Sequence, residues 1–245
     1  MRARELVDCI RRKLGRVSGL HSLILYGSLV RGDFIPGTSD IDFFVVLEIG
    51  ANPDSVLRKV RPVLEECSSP FKPIEVDVAW EWLQNLSDPL NLGYPYKFLT
   101  IYQRDFRENH LVVIGNDILE LLPDYELSQV LPDRLNAMER NLERFAENRK
   151  MLHILAGETA RLLAFLSGST LRKDEVIHTL MKLNDTDAVR IFQGYLQGRK
   201  EEFDETFLRA FVVSRIEKLR KEISVSSKPL SQPKGVHPRE RRKSS

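Results

Sequence analysis

The sequence predicts an α+β protein, in which a small mixed β-sheet with flanking helices is followed by an all-α helical bundle. Two patterns lead to this prediction. Short apolar runs typical of strands all fall before Gly115, and the segments between them repeat apolar residues at a helical period. After Gly115 only helical periods occur, separated by Asn, Asp and Gly. We therefore predict domains at residues 1–115 and 116–225.

The first half alternates predicted strands with predicted helices. Strands are expected at residues 20–26, 40–47, 74–80 and 111–114. Helices are expected at residues 3–14, 54–67 and 96–109. Gly15 can end the first helix, whereas Pro62 should kink or split the second because proline removes a backbone hydrogen bond.

The second half begins with a long amphipathic pattern. It runs from Pro132, which suits the first turn of a helix, to Leu166, and Gly157 can interrupt it. Further helices are expected near residues 173–183, 186–197 and 204–224. Residues 226–245 are rich in Ser, Pro and Lys with few apolar side chains, which predicts a disordered basic tail.

The net charge of +2 conceals two parts of opposite sign. The tail carries six Lys or Arg against one Glu, so residues 1–225 are slightly acidic. Broad nucleic-acid binding depends on clustered cations, so we expect none except through the tail, which could contact RNA. No apolar run approaches a membrane span and no secretory signal pattern occurs, so we expect a cytoplasmic protein without membrane partners.

Cys9 and Cys67 are the two cysteines of the chain, and both fall in predicted helices. Their number and spacing match neither a disulfide framework nor a zinc site. We therefore expect no disulfide, which fits a reducing cytoplasm.

Two aspartates mark the start of the second predicted strand. Asp40 and Asp42 are two residues apart, so on a strand their carboxylates share one face. Neighbouring anions of this kind repel unless a divalent cation lies between them. At the end of the first strand, Gly27 and Ser28 offer backbone amides and a hydroxyl to phosphate oxygens. Together these residues predict a site for a metal-bound nucleoside triphosphate.

The third predicted strand supplies two more carboxylates. Glu75 and Asp77 share the face opposite the strand's apolar residues. If this strand lies beside that of Asp40, one or both acids reach the same metal. The alternative is an ordinary strand with one solvated face.

A family resemblance rests on the segments Leu25-Tyr26-Gly27-Ser28, Arg31-Gly32 and Ser39-Asp40-Ile41-Asp42. They resemble the signature of the DNA polymerase β-type nucleotidyltransferase superfamily, nearest to its aminoglycoside adenylyltransferase-like and minimal nucleotidyltransferase branches. The loop at residues 35–38 is slightly longer than the commonest form. The resemblance covers residues 1–115, and a looser one to the helical domain of the aminoglycoside enzymes extends over residues 116–224.

This resemblance implies a metal site. Two Mg²⁺ ions would be held by Asp40, Asp42 and a third acid. The aminoglycoside branch favours Glu75 as that acid and the minimal branch favours Asp77. We take Asp77 as the third metal ligand and Glu75 as the candidate base, with the alternative assignment left open.

The resemblance also implies how the nucleotide is held. Gly27 and Ser28 would bind the β- and γ-phosphates of ATP or another nucleoside triphosphate. Arg31, on the same loop, either contacts a phosphate or is an ordinary surface arginine.

The function implied is transfer of a nucleoside monophosphate, AMP from ATP in the first instance, to a hydroxyl of an aminoglycoside-like small molecule, with release of pyrophosphate. One alternative is a nucleotidyltransferase acting on a protein or RNA, as in minimal toxin–antitoxin systems. A second is a non-catalytic nucleotide-binding module. The sequence identifies neither the acceptor nor the triphosphate, and a homodimer is compatible with it.

Three residue pairs have weaker claims to function. They are Arg104 and Arg107 on the last helix of the first half, the pair Arg172 and His178, and the pair Trp80 and Trp82. The arginines of the first pair could meet substrate. The second pair resembles a short motif of ribonuclease-like helical domains, and the tryptophans could stack on a base or simply pack.

Overall fold

The structure is a computed structural model and describes residues 3–198 and 202–226. Apart from Ser226, the predicted basic tail of residues 226–245 lies outside the described residues. Within the described part, no helix is both long and apolar enough to cross a membrane.

A four-stranded mixed sheet forms the centre of the first half. Its strands are β1 (Leu20–Tyr26), β2 (Ile41–Leu47), β3 (Val76–Trp82) and β4 (His110–Gly115). The spatial order is β3-β2-β1-β4, with β2 and β3 parallel and the other neighbours antiparallel. The predicted mixed sheet is confirmed, and β3 lies directly beside the strand that carries Asp42.

The helices of the first half are α1 (Ala3–Lys13), α2 (Ser28–Arg31), α3 (Pro53–Ser68) and α4 (Gln103–Glu108). Two predictions need correction. Pro62 does not split α3, because it lies on the exposed face, where water can bond to the backbone carbonyl that loses its partner. The helix predicted at residues 96–109 is shortened to α4, because Thr100 leaves the helical backbone range at φ −126° and ψ −98°. A 3₁₀ turn at Tyr94–Leu99 takes the place of the first part of the predicted helix. Two further 3₁₀ turns precede it, at Leu83–Ser87 and Pro89–Leu92.

The two faces of the sheet are covered differently. Helices α1 and α3 pack on one face, where Leu6 and Leu64 join a core with Phe43. On the other face, Phe44 and Phe98 belong to a smaller core formed with residues 83–122. At one end, the second face carries polar residues in place of apolar ones, and this end faces the second half of the chain.

The second half consists of α5 (Leu127–Arg144), α6 (Arg149–Leu166), α7 (Lys173–Lys182), α8 (Thr186–Leu196) and α9 (Glu205–Ser226). Their apolar faces form one large core around α6, which also takes in Ile101 and Tyr102 from before the predicted boundary. The α+β architecture with a following helical bundle is confirmed.

The start and the interruption of the long predicted helix are corrected. Helix α5 begins before Pro132, because Glu126 and Gln129 form a reciprocal capping box that fixes the earlier start. The break falls at residues 145–148, where the Asn148 side chain caps α6 by accepting from the Met151 amide at 3.1 Å. Gly157 stays inside α6, and a Cβ there would lie 2.9 Å from the Tyr195 ring, so this glycine permits close packing against α8.

The expected absence of a disulfide is also wrong in this structure. Cys9 on α1 and Cys67 on α3 are bonded to each other across a sequence separation of 58 residues. Both helices lie side by side on the same face of the sheet, which the spacing of the cysteines along the chain does not reveal.

Candidate active site

A cavity of about 350 Å³ lies where the polar end of the sheet meets the helical half. One wall comes from the sheet and its loops and carries Ser28, Asp40, Asp42 and Asp77. The opposite wall comes from residues 97–106 and from α6 to α8. We call these the sheet wall and the helical wall.

The sheet wall brings three predicted carboxylates to one place. Asp42 on β2 is in register with Asp77 on the parallel strand β3, so the two side chains leave the sheet on the same face. Asp40 precedes Asp42 by two residues and points the same way. All three line the cavity, as expected from the sequence.

The three acids affect one another's ionisation. Burial raises the pKa of Asp42 to about 7, and the charges of Asp77 and Asp40 add to the shift. Burial also raises the pKa of Asp40, followed by the charges of Glu75 and Asp77. The site therefore concentrates negative charge that a cation would relieve.

Gly27 is required by the position of Asp42. Its backbone has φ 80°, and a Cβ there would lie 2.4 Å from the Asp42 carboxylate oxygen Oδ2. Ser28 follows as the first residue of α2 and is buried, with its side chain at the cavity. The Gly-Ser pair thus lets a carboxylate approach the backbone at the point where α2 begins.

Glu75 occupies a different position from Asp77. It lies just before β3, where its backbone carbonyl accepts from the Ile41 amide at 3.0 Å. Its exposed side chain lines an adjoining cavity that also contains Asp40 and Lys150. Asp77, and not Glu75, shares the main cavity with Asp42.

The donor set suits Mg²⁺ only together with a nucleotide. Among the residues that the structure describes, no group of three or more His, Cys, Asp or Glu side chains is arranged to hold a metal ion. Mg²⁺ usually binds through one or two carboxylates together with substrate phosphates and water. The paired Asp42 and Asp77 and the raised pKa of Asp42 fit that mode, so the residues present are suited to an ion carried with a triphosphate.

Arg31 is held by two acids in this structure. Its guanidinium donates to Asp33 at 3.1 Å and to Asp105 at 2.6 Å, and its side chain lines the cavity. A phosphate contact by Arg31 stays a prediction, because it requires the arginine to share or exchange these partners.

Lys173 joins the helical half to the loop after Ser28. At the start of α7, its ammonium donates to the Asp33 carbonyl at 2.6 Å and to Ser39 Oγ at 2.8 Å, while its backbone amide donates to the Asp33 carboxylate. Burial lowers the pKa of Lys173 to about 8, although the charge of Asp33 opposes the shift. This buried ammonium lines the cavity close to Asp40.

A buried ionic cluster forms the middle of the helical wall. Glu158 on α6 accepts from Lys97 at 2.8 Å, from Arg161 at 2.9 Å and from Arg134 at 3.2 Å. Burial by itself would raise the pKa of Glu158, but these three charges outweigh it and hold that pKa well below the usual range. Arg161 also lies near the rings of Phe192 and Tyr195.

None of the remaining predicted pairs lines the cavity. Arg104 pairs with Glu108 and Arg107 with Asp124, each at 3.0 Å on the surface. Arg172 pairs with acids of α7, and His178 is exposed on the same helix. The rings of Trp80 and Trp82 pack edge to face, 5.0 Å apart, on the α1/α3 face of the sheet, opposite Asp77.

Comparison with known proteins assigns the first half of the chain. Residues 3–113 match the family model described as the nucleotidyltransferase domain. This segment of the chain is a nucleotidyltransferase domain. The membership predicted from the Gly-Ser and Asp-x-Asp segments is thereby confirmed, and the protein is an enzyme of the nucleotidyl-transferring class.

The fold of this nucleotidyltransferase extends beyond that domain. A solved structure of the spectinomycin adenyltransferase AAD(9) from Enterococcus, with ATP and spectinomycin, aligns with a TM-score of 0.61 at 17% identity. The alignment covers 89% of this chain and 99% of the other. This chain and the adenyltransferase therefore share a fold across both halves. No curated protein sequence matches the chain significantly.

The sequence did not indicate the helical wall of the nucleotidyltransferase. Lys97, Glu158, Arg161 and Lys173 come from four separate places in the chain and share no spacing. A buried Glu surrounded by cations becomes visible only when α5, α6 and residues 94–99 are packed together.

Proposed function

We propose that the chain catalyses Mg²⁺-dependent transfer of AMP from ATP to a hydroxyl group of a small molecule, with release of pyrophosphate. The observation that carries the proposal is the position of the Asp42 carboxylate. Asp42 lies against Gly27 and is in register with Asp77. It lines the same cavity as the cations of the helical wall. Acids that bind a cation and cations that bind phosphates thus line one cavity.

In this proposal Asp40, Asp42 and Asp77, together with the phosphates of the bound nucleotide, would hold Mg²⁺, and the ion would supply charge neutralisation for the triphosphate and its leaving group. Gly27 and Ser28 orient the β- and γ-phosphates at the start of α2. Lys173 and Arg161 face them from the helical wall and stabilise negative charge on the phosphate oxygens.

Glu75 is the candidate base. It lines the adjoining cavity together with Asp40. In this proposal the acceptor hydroxyl would reach the α-phosphate from that cavity, in line with the leaving group. In that role its carboxylate takes the hydroxyl proton as the new bond forms. Asp77 would instead serve as a metal ligand and would not exchange protons with the acceptor.

An aminoglycoside-like acceptor is the expectation that the sequence resemblance supplies, and the solved relative was crystallised with spectinomycin. A cavity of about 350 Å³ suits a small molecule, since such sites commonly measure roughly 300–1,000 Å³. This size favours a small acceptor over a protein or RNA.

The test is incubation of the full chain with labelled ATP, GTP, CTP or UTP, Mg²⁺ and a panel of hydroxylated small molecules. We expect pyrophosphate release that prefers ATP and stops when EDTA removes the metal. Asp42→Asn should abolish release, whereas Asp124→Asn, on the surface, should not. Pyrophosphate release that is unaffected by Asp42→Asn would refute the proposed site.

A further inference from the structure

Asp33 lies in the loop between α2 and β2 and makes four hydrogen bonds. Its backbone amide donates to the Ser28 carbonyl at 3.1 Å. One carboxylate oxygen accepts from Arg31 Nε at 3.1 Å, and the other accepts from the backbone amide of Lys173 at 2.9 Å. Its backbone carbonyl accepts from the Lys173 ammonium at 2.6 Å. Asp33 therefore links the start of α2 to the start of α7, 140 residues further along the chain.

The contact with α7 is a helix cap supplied by a distant part of the chain. Arg172, the residue before α7, makes no side-chain hydrogen bond to the amides of that helix. Asp33 accepts instead from the first of these amides, that of Lys173. Amides at the start of a helix lack partners within the helix and carry partial positive charge, so a carboxylate there is stabilising. Asp33 thus fixes where α7 begins relative to the loop.

Asp33 itself is buried behind the cavity. Its side chain is 7% exposed and does not line the main cavity, whereas Lys173 does. The Lys173 ammonium donates to the Asp33 carbonyl and to Ser39 Oγ, which are both neutral oxygen atoms. An ammonium group has three donors, so these two contacts leave one for a ligand in the cavity.

Asp33 holds Lys173 at both ends, by its backbone amide and by its ammonium. A lysine side chain is long and flexible, and its charge has a defined position only when such contacts restrict it. Arg31 in turn holds the Asp33 carboxylate and is itself bonded to Asp105 on α4 at 2.6 Å. The position of the Lys173 charge therefore depends on Asp33.

We propose that Asp33 is a positioning residue for triphosphate binding, which holds the Lys173 ammonium in the cavity that Ser28 also lines. Asp33 does not touch the nucleotide and acts through Lys173. The inference rests on the proposed function, in which Lys173 faces the phosphates.

The test measures nucleotide affinity and requires no turnover. Binding of labelled α,β-methylene-ATP with Mg²⁺ is measured by equilibrium dialysis on the full chain. We expect Asp33→Ala to raise the dissociation constant roughly 10-fold, the effect of weakening one charge-assisted contact with a phosphate. Asp33→Asn keeps an oxygen that can cap α7, so we expect a smaller rise of about threefold. Unchanged affinity in whichever of the two variants folds would overturn the inference.

The matched control is Asp185→Ala. Asp185 also has a largely buried carboxylate, which accepts from the Ala188 amide at the start of α8 and from Arg215. It does not line the main cavity. The urea midpoint should fall similarly in Asp33→Ala and Asp185→Ala, because each loses a helix cap and an ion pair. Nucleotide affinity should fall in Asp33→Ala alone. An equal loss of affinity in Asp185→Ala would assign the effect to general stability and overturn the inference.

A double-mutant cycle with Lys173→Met separates positioning from support of the fold. If Asp33 acts through Lys173, its removal has little further effect once the ammonium is gone. The double variant should then bind the nucleotide at most about twofold more weakly than Lys173→Met. Losses that multiply in the double variant would overturn the inference. Absence of nucleotide binding by the unsubstituted chain would refute the proposed function, and the inference with it.

Discussion

The two walls of the cavity are built from different kinds of sequence information. The sheet wall takes its acids from Asp42 and Asp77, on two neighbouring strands, and from Asp40, just before the first of these strands. Among the described residues, the helical wall carries three cations, Lys97, Arg161 and Lys173, against the two anions Asp105 and Glu158. The sheet wall carries an excess of anionic side chains, and the helical wall carries an excess of cationic ones.

Because the two walls arise in different ways, we expect them to have different roles, the sheet wall in the transfer reaction and the helical wall in the choice of acceptor. Carboxylates two residues apart on a strand share a face through local geometry alone, so the sheet wall can serve any nucleotidyl transfer. The helical wall depends on tertiary packing, and its charges can change without disturbing the strands. We therefore expect substitutions in the sheet wall to change the transfer reaction, and substitutions in the helical wall to change which acceptor is used.

The strongest test of the sheet wall is Asp42→Ala. The variant removes a carboxylate that bears the proposed metal, so kcat/KM should fall by about 10³-fold, equivalent to about 4 kcal/mol of transition-state stabilisation. Far-ultraviolet circular dichroism should be unchanged, because loss of a repelled buried carboxylate does not weaken the fold. Pyrophosphate release measures the activity. Near-normal turnover would show that the sheet wall is not the reaction centre.

The helical wall should respond in stability rather than in chemistry. Glu158→Gln leaves Lys97, Arg134 and Arg161 without their shared anion, and loss of a buried partner of this kind costs roughly 3 kcal/mol of unfolding free energy. Urea denaturation measures the change.

The matched control for Glu158 is Glu139→Gln. Glu139 pairs with Arg220 on the surface, where an ion pair is worth at most about 1 kcal/mol. If both variants lose the same small amount of unfolding free energy, the Glu158 cluster contributes no more than a solvated ion pair. The proposed difference between the two walls, with the helical wall acting mainly on stability, would then lose support.

Gly27→Ala tests how closely the sheet wall is assembled. The new Cβ would meet the Asp42 carboxylate at 2.4 Å, so the acid must move, and we expect activity to fall by about 10-fold or more. Gly37→Ala is the control, since Gly37 also has a positive φ of 78° but open space around its Cβ position. Gly27 has φ 80° and ψ −151°, a backbone region essentially restricted to glycine, so Gly27→Ala should cost roughly 1–3 kcal/mol of stability, and Gly37→Ala should cost about 1 kcal/mol. An equal loss of activity in the two would assign the effect to strain alone.

The sequence predicted the sheet wall because its determinants are local. The spacing of Asp40 and Asp42 and the apolar run after them placed both acids at the start of the second predicted strand. The acids of the third predicted strand were paired with them on the assumption that the two strands are neighbours, as β2 and β3 are. The choice between Glu75 and Asp77 stayed open, because it depends on the register between β2 and β3. The Cys9–Cys67 bond and the Glu158 cluster were missed, since each depends on helices that meet only after the chain has folded.

The smallest expected effect is a pH dependence that involves both walls. Asp42 must be ionised to hold a cation, and its pKa of about 7 predicts that kcat/KM for ATP rises through that pH. Lys173 must be protonated to hold a phosphate, and its pKa of about 8 predicts a fall at higher pH, about tenfold one pH unit above the midpoint of the alkaline limb. Lys173→Arg keeps the positive charge far beyond this range and should abolish the alkaline limb while the acidic limb stays. Lys182→Arg, at the other end of α7, should leave both limbs in place. An alkaline limb that persists in Lys173→Arg would mean that a group outside the helical wall controls it.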